Sequence, residues 1–308
     1  MASELFTPRG LVRHVFQAMG TQVSLLLPAE RSAEGPRAER LVATWSATCT
    51  RFDPASELSR LNAAGGRRHH LSELLLNVLV VARQAAEATD GLFDPTLLPS
   101  LEAIGYDRDF GALARGVPGR PRDAPLPATG GWRAVELDPE TRTVTLPPGV
   151  RFDLGGLAKG MAVDAVIADL VGRDVQVAAV DAGGDLAVVG LPPGAGAWSI
   201  AVDAPGDPRR LNLTSGALAT SSRARRTWRQ GPEVRHHLID PRTGLPSTVP
   251  LWSVSVAAPT CAQAEVAAKA AFLLGSDDGS RFLAGRGLAG LFLSTAGTES
   301  RAGRWLAS

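Results

Sequence analysis

Three observations predict an α+β fold for this sequence. Short strand-like runs follow one another in hairpin succession, helical stripes are inserted at only a few places, and regular strand–helix alternation of the doubly wound kind does not occur. The 308 residues suffice for one large domain with a sizeable core. We read residues 1–308 as a single domain, with the irregular stretch 115–131 lying inside it.

Residues 12–27 predict two strands broken at Gly20, because Val23, Leu25 and Leu27 alternate after the break. Leu41 and Trp45 share one face of a helix expected to end near Arg51. Ser72 caps a second helix, ahead of the apolar stripe Leu75, Leu76, Leu79 and Val80. Pro95 is expected to open a third, short helix. Residues 115–131 carry no apolar period and read as loop, and a hairpin follows in which WRAVEL and TVTL flank Asp138–Pro139.

The run DLGGLAKGMAVDAVIADL from Asp153 reads as a strand end, a glycine turn and a helix. Strands are expected at VAAVDAG, LAVVG, WSIAVD, HHLID and LWSVSVAA. Thr260 with Gln263 forms a capping box for a helix through Leu274, and LAGLFLS closes the fold as a buried strand. The Asp-Pro pairs at Asp53, Asp94, Asp138, Asp207 and Asp240 read as independent turn or helix starts.

Composition narrows the partners. Lys+Arg number 32 against 31 Asp+Glu, a net charge of +1, which supplies no field to draw the chain onto nucleic acid or an anionic membrane. No run approaches 18 consecutive apolar residues, and the N-terminus has neither an apolar leader core nor a lipid-attachment cysteine. Cys49 and Cys261 are isolated, without zinc or iron–sulfur spacing, and read as free thiols in a reducing compartment. A soluble, cytoplasmic protein is expected. All but two of the basic residues are arginines; the lysines are Lys159 and Lys269.

Five segments could carry chemistry, each with a plain structural alternative. Asp153-Leu-Gly-Gly-Leu-Ala-Lys159-Gly offers helix N–H groups and an ammonium to an anion, or is a capped helix with a surface lysine. Gly183-Gly184-Asp185 lets a ligand approach bare backbone, or is a tight turn. Thr220-Ser221-Ser222 beside Arg223, Arg225 and Arg226 could hold phosphate oxygens, or is a solvated basic loop. His236 and His237 face opposite sides if extended, so at most one serves a given site. Glu265 and Lys269 are i and i+4 on one helix, an ordinary surface pair or, among small apolar neighbours, a partly buried one.

In order and spacing these segments resemble one family. AMGT at 18–21, SELSRLN at 56–62, GLFDPT at 91–96, DLGGLAKG at 153–160, AGGD at 182–185, ATSS at 219–222, HHLIDPRTG at 236–244 and CAQAEVAAKAAFLLG at 261–275 are similar to the blocks of the ApbE-type FAD:protein FMN transferases. The resemblance runs from about residue 14 to residue 294. It implies a two-lobed α+β fold of mostly antiparallel and mixed sheets, with FAD in a cleft between the lobes. It also implies an activity that splits FAD at its pyrophosphate, moves FMN onto a Thr or Ser hydroxyl of an acceptor flavoprotein, and releases AMP.

By matching motifs, the resemblance places Met19, Phe52, Leu92, Phe93 and Asp94 along the flavin or adenine pocket. Asp153 and Lys159 would contact FAD, and His237 would sit beside the flavin phosphate with Ser221 and Arg226 nearby. Gly156, through its carbonyl, and Glu265 would stand at a Mg²⁺ ion. This chain departs from the family in three respects. The family's Asp-x-x-x-Thr metal pair is Glu265 and Lys269 here, and an ammonium has no lone pair to offer a metal. Ser222 and Ala224 stand where the family commonly has glycine and an aromatic residue, and the family's export or lipid-anchor signal is not seen. The first departure predicts that the Lys269 ammonium takes the place of Mg²⁺, pairing with Glu265 and the pyrophosphate. Rival readings on the same scaffold are an FAD pyrophosphate hydrolase, a flavin-dependent tailoring enzyme and a non-catalytic FAD binder.

Overall fold

The computed structural model describes residues 4–113, 117–119 and 125–303, so part of the expected 115–131 loop lies outside the described residues. Six α-helices occur among them: α1 (Gly35–Cys49), α2 (Glu57–Asn62), α3 (Glu73–Ala88), α4 (Leu98–Ala103), α5 (Ala158–Gly172) and α6 (Cys261–Ala284). The chain divides into two compact units. Met1–Thr44, Leu157–Ser222 and Val249–Ser308 make the first, and Trp45–Gly156 with Arg223–Thr248 the second.

An eight-stranded sheet forms the first unit's centre. From one edge to the other its strands are Glu299–Ala302, Ala289–Ser294, Leu251–Ala258, Gly216–Ser222, Leu186–Val189, Ala178–Ala182, Thr21–Pro28 and Leu11–Ala18. Every neighbouring pair is antiparallel. Side-chain alternation sends Leu25, Leu27 and Val180 to a core shared with Ala38 and Val42 of α1 and Val163, Val166 and Leu170 of α5. Leu26, Ala179 and Leu186 go to the opposite face, against Trp198, Ile200 and Leu211 of a smaller sheet. That sheet orders Glu4–Leu5, Trp198–Val202 and Arg209–Leu213. Burial on both faces explains why Val23–Leu27 is a continuous buried run and not a clean alternation.

The first unit's hairpin turns at Met19 and Gly20, both with positive φ (53° and 69°), where the sequence placed the strand break. The last helix begins where the capping box put it, with the Thr260 hydroxyl accepting from Gln263 N–H at 3.3 Å. It breaks helical geometry at Gly275 (φ 83°) and resumes to Ala284, beyond the expected end at Leu274.

In the second unit, α3 starts at its expected cap, Ser72 Oγ accepting from Leu75 N–H. Leu75, Val78 and Leu79 are its buried stripe, with Leu76 and Val80 half-buried. Pro95 does not open the third helix. Its aspartate neighbour closes a local turn, and α4 starts at Leu98 with Pro99 in its first turn. The expected WRAVEL strand is shorter than read: Gly131–Ala134 is a 3₁₀ turn, and Glu136–Asp138 pairs with Thr143–Thr145, which also pairs with His69–His70. Two two-stranded ribbons, Thr227–Gln230 with Glu233–His236 and Ile239–Asp240 with Leu245–Pro246, complete the unit. Its core gathers Leu97, Leu101, Ile104, Tyr106, Trp228 and Ile239. Among the described residues, no helix is long and apolar enough to cross a membrane.

Candidate functional site

Four sequence blocks meet in the first unit. The AMGT turn puts Met19, half-buried, against the sheet-and-helix core. Thr21, beside it, lies so close to Gly183 that a Cβ at that position would collide with its hydroxyl, which is why the AGGD turn needs a bare backbone there. Asp181 Oδ1 accepts from Gly184 N–H at 2.7 Å, and Ala182 N–H donates to the Asp185 carbonyl at 2.9 Å. These bonds close the turn and direct Asp185 toward α5.

Lys159, in the first turn of α5, donates to Asp185 Oδ2 and, at 2.6 Å, to Glu265 Oε1 of α6. Glu265 Oε2 accepts from Gly160 N–H at 3.0 Å. The two helices come this close because residue 160 is glycine; an added Cβ would lie 2.8 Å from Ala262 N. Asp164, one turn further along α5, accepts from Cys261 and Ala262 N–H at 2.7 and 2.9 Å and so caps the same helix. Asp185 and Glu265 side chains are each 7% exposed and Lys159 is 12% exposed. Burial pushes the Glu265 carboxyl above its ordinary value; the Lys159 ammonium opposes that, while Asp185 adds to it.

Glu265 was expected to meet Lys269; the cation found on its carboxylate is Lys159. Lys269 is half-buried, one turn further on the same helix. Ser221, half-buried on the Gly216–Ser222 strand, stands opposite Val254, next to Thr220, whose hydroxyl is 2.8 Å from Ser255 Oγ. Ser222 is buried and donates to the Trp252 carbonyl at 3.1 Å, so its hydroxyl has a bonding role.

The second unit holds the remaining candidates. Asp153 receives the Arg51 guanidinium at 2.5 Å and opens the glycine turn by accepting from Gly155 N–H at 3.0 Å. Neighbouring blocks clamp its backbone. Asn62 brackets Phe152 through both amide atoms, at 2.9 and 2.8 Å, and Asp153 N–H donates to the Pro95 carbonyl at 2.9 Å. Arg51 lies over the rings of Phe52 and Tyr106, 4.2 and 4.6 Å from their centroids, and donates to the Tyr106 carbonyl at 2.8 Å. Phe52 keeps 39% of its surface exposed, an open aromatic face beside a fixed guanidinium.

Arg226 is half-buried, with Nη1 at 4.0 Å from where a Cβ on Gly155 would lie. Burial pushes the Tyr106 hydroxyl up, and Arg226 is the largest opposing influence. Asp153, Arg51, Phe52 and Arg226 therefore form one group. Gly156 is buried at the end of the same turn.

Other expected residues serve the fold. Phe93 is 1% exposed, a core side chain whose N–H donates to Thr89 Oγ1. Asp94 commits Oδ1 to Thr96 N–H and hydroxyl and Oδ2 to Gly130 N–H at 2.7 Å. Leu92 remains half-buried.

The histidine pair divides as extended backbone dictates. His236 is buried; its Nε2–H donates to the Ser247 carbonyl at 3.0 Å and Nδ1 accepts from Leu238 N–H at 3.3 Å, which requires the neutral ring. Burial accordingly lowers its pKa. His237 is half-buried, its N–H on the Arg226 carbonyl at 3.3 Å. Both thiols are buried and free, with Cys49 pushed up to about 12 and Cys261 well above its ordinary value by burial, so neither is a nucleophile at neutral pH.

Sequence reasoning missed Arg51 and Asp164 as site residues, and read the Gly183-Gly184-Asp185 block for its bare backbone and not for the Asp185 carboxylate. Asp185 had a signal, being the one charged residue of the AGGD block; Arg51 and Asp164 had none beyond lying near a motif. For a hexacoordinate divalent ion, the donor set at Glu265 is a poor fit. One carboxylate oxygen carries an ammonium, the other a backbone N–H, and the residue four positions on is a lysine.

The ApbE family model matches residues 19–292. An FAD:protein FMN transferase of Chlamydia muridarum is 30% identical over 226 residues, 71% of this chain and 69% of that protein. One from Rhodobacter capsulatus is 32% identical over 246 residues, 75% of this chain; the match spans 45% of that protein's own length. Among solved structures, an ApbE protein of Thermotoga maritima superposes with a TM-score of 0.83 at 25% identity, covering 95% of this chain and 97% of that one. The flavin transferase ApbE of Vibrio cholerae shares the fold with a TM-score of 0.79, at 23% identity over 95% of this chain and 97% of that one. The chain belongs to the ApbE family.

Proposed function

We propose that this protein is an FAD:protein FMN transferase, binding FAD as substrate and moving its FMN half onto a Thr or Ser hydroxyl of an acceptor flavoprotein. The observation that carries this reading is the family match over residues 19–292, which takes in the AKG and AGGD blocks and the helix of Glu265, joined through Lys159 in the first unit. In the reaction, the acceptor oxygen bonds to the FMN-side phosphorus while the pyrophosphate P–O bond breaks. The bonding pair leaves with AMP, and the hydroxyl proton is released.

Phosphoryl transfer of this kind rests on positioning and charge. We assign Lys159, Lys269 and Arg226 to the phosphates, with Ser221 as a neutral donor. His237 is assigned beside the flavin phosphate, where an imidazole can take the hydroxyl proton. Met19, Phe52 and Leu92 are assigned to the flavin and adenine rings, with Asp153 as an acceptor for the ligand. Phe93 and Asp94 act behind that wall, by holding Leu92 and the 94–97 turn in place.

The transferase activity of the relatives favours transfer over hydrolysis, flavin-dependent tailoring or storage. No step is assigned to Mg²⁺ at Gly156 and Glu265. Two buried free thiols support a reducing compartment, and we assign the reaction to the cytoplasm.

Incubation with FAD and a Thr-bearing acceptor domain tests the reading. AMP by chromatography and covalent flavin by in-gel fluorescence should appear in equal amounts. AMP without labelled acceptor would mean a hydrolase, and intact bound FAD would mean a binder.

A further inference from the structure

We propose that lysine ammonium groups are the resident cations of this site and that FAD binds here without a divalent ion. The inference rests on the transferase reading and adds the source of positive charge. A chain with 32 basic residues uses lysine twice; one lysine holds the Glu265 carboxylate, and the other lies one turn further along the helix that carries Glu265. Lys159 holds Glu265 Oε1 at 2.6 Å and bonds Asp185 as well. Lys269 follows Glu265 by four residues on α6, the spacing that places two side chains on one helix face.

The Lys159 ammonium already bridges the two buried carboxylates, Asp185 and Glu265, without a metal. A divalent ion on Glu265 would have to share Oε1 with an ammonium or displace it, leaving Lys159 to be reaccommodated in a largely dry setting. Lys269, one turn along the helix, could not complete the ion's coordination shell, since an ammonium brings no lone pair. Lysine suits the replacement role. Its ammonium is a compact point charge with three donors, able to bridge two carboxylates or to meet a phosphate, whereas the planar arginine fork is bulkier. Gly160 adds a further constraint: it draws α5 and α6 together, so the Lys159–Glu265 contact is built into their packing.

The test uses the full chain and two readouts besides activity. Free Mn²⁺ is followed by electron paramagnetic resonance during titration with protein, with and without FAD and against an FAD-only control. FAD affinity is followed by flavin fluorescence in excess Mg²⁺ and in EDTA. The expected result is no stoichiometric Mn²⁺ binding and an FAD dissociation constant that agrees within about twofold between the two buffers. Lys269→Thr should weaken FAD binding about tenfold or more in EDTA. The double variant Glu265→Asp with Lys269→Thr should gain Mn²⁺ binding. Stoichiometric Mn²⁺ on the native chain, or FAD binding that needs Mg²⁺, overturns the inference and leaves the transferase reading standing. No FAD binding in either buffer overturns the transferase reading, and the inference falls with it.

Discussion

Glu265 in the first unit and Asp153 in the second are both carboxylates held by a cation from another segment, but their surroundings differ. Glu265 lies between two packed helices with a second carboxylate nearby, and a single ammonium serves both. Asp153 sits at the mouth of a glycine turn, and its guanidinium is also fixed by two aromatic rings and a backbone carbonyl. In the first cluster the cation is needed by its partners, because removing it leaves buried negative charge. In the second, the cation is held independently of the carboxylate and presents it, together with the Phe52 ring, in a set geometry. A point charge suits the first task and a planar fork the second.

The largest effect that could break this contrast is at Lys159. Lys159→Met strands Asp185 and Glu265 and should cost about 3–5 kcal/mol of stability in urea unfolding. Combining it with Asp185→Asn and Glu265→Gln should restore a large part of that loss. A single-variant cost no greater than that of Arg51→Met would show that the two clusters are energetically alike.

Arg51→Met should come next, at about 2–3 kcal/mol, from one charge-assisted bond and the ring contacts. Arg51→Lys should recover less than half of it, since an ammonium does not reproduce the fork. In both variants FAD affinity should fall more than the maximal rate, because Arg51 positions Asp153 and Phe52.

A third prediction separates structural from site histidines. His236 titrates lower in the fold than in the unfolded chain, so its contribution is present above about pH 6.5 and declines as pH falls through the lowered native value. The slope it adds is at most about 1.4 kcal/mol per pH unit. His236→Gln should flatten that part of the stability–pH profile and leave flavin transfer in place, whereas a substitution at His237 should slow transfer.

The smallest effect is expected at Asp164, which caps α6 by accepting from two backbone N–H groups, one on each carboxylate oxygen. Asp164→Asn keeps one acceptor and should cost about 1 kcal/mol at neutral pH. Burial raises the Asp164 carboxyl, so its protonated form stabilises the fold below the ordinary carboxylate value, and that share is lost as pH rises through the raised one. The asparagine variant should therefore differ most from the native chain in this pH dependence.

Local signals were legible where a few adjacent residues decide the outcome. Four of the five Asp-Pro pairs close on themselves: Asp53, Asp94, Asp138 and Asp240 each accept from the N–H two residues on. The caps at Ser72 and Thr260 and the turn at Met19–Gly20 were legible for the same reason. The strands Arg209–Leu213 and Gly216–Ser222 were not, because polar or small residues such as Arg210, Asn212, Ala219 and Thr220 extend only through pairing, the first strand with Trp198–Val202 and the second with Leu251–Ala258. Pro95 misled, because its preceding aspartate forms a turn that postpones the helix to Leu98.

The sequence by itself determined the family, the α+β class, the places of caps and tight turns, and the convergence of interest on Glu265 and the two lysines. Each depends on residue type and short spacing. Only the tertiary structure decided which lysine holds Glu265, that Asp185 joins them, that Arg51 orients Asp153, and which histidine is committed to the core. Those partners lie 26 to 106 residues apart in the clusters of charge, and long-range contacts form only when helix and sheet packing brings them together. A helix spacing of four favours Lys269 for Glu265; the close α5–α6 approach permitted by Gly160 put Lys159 there.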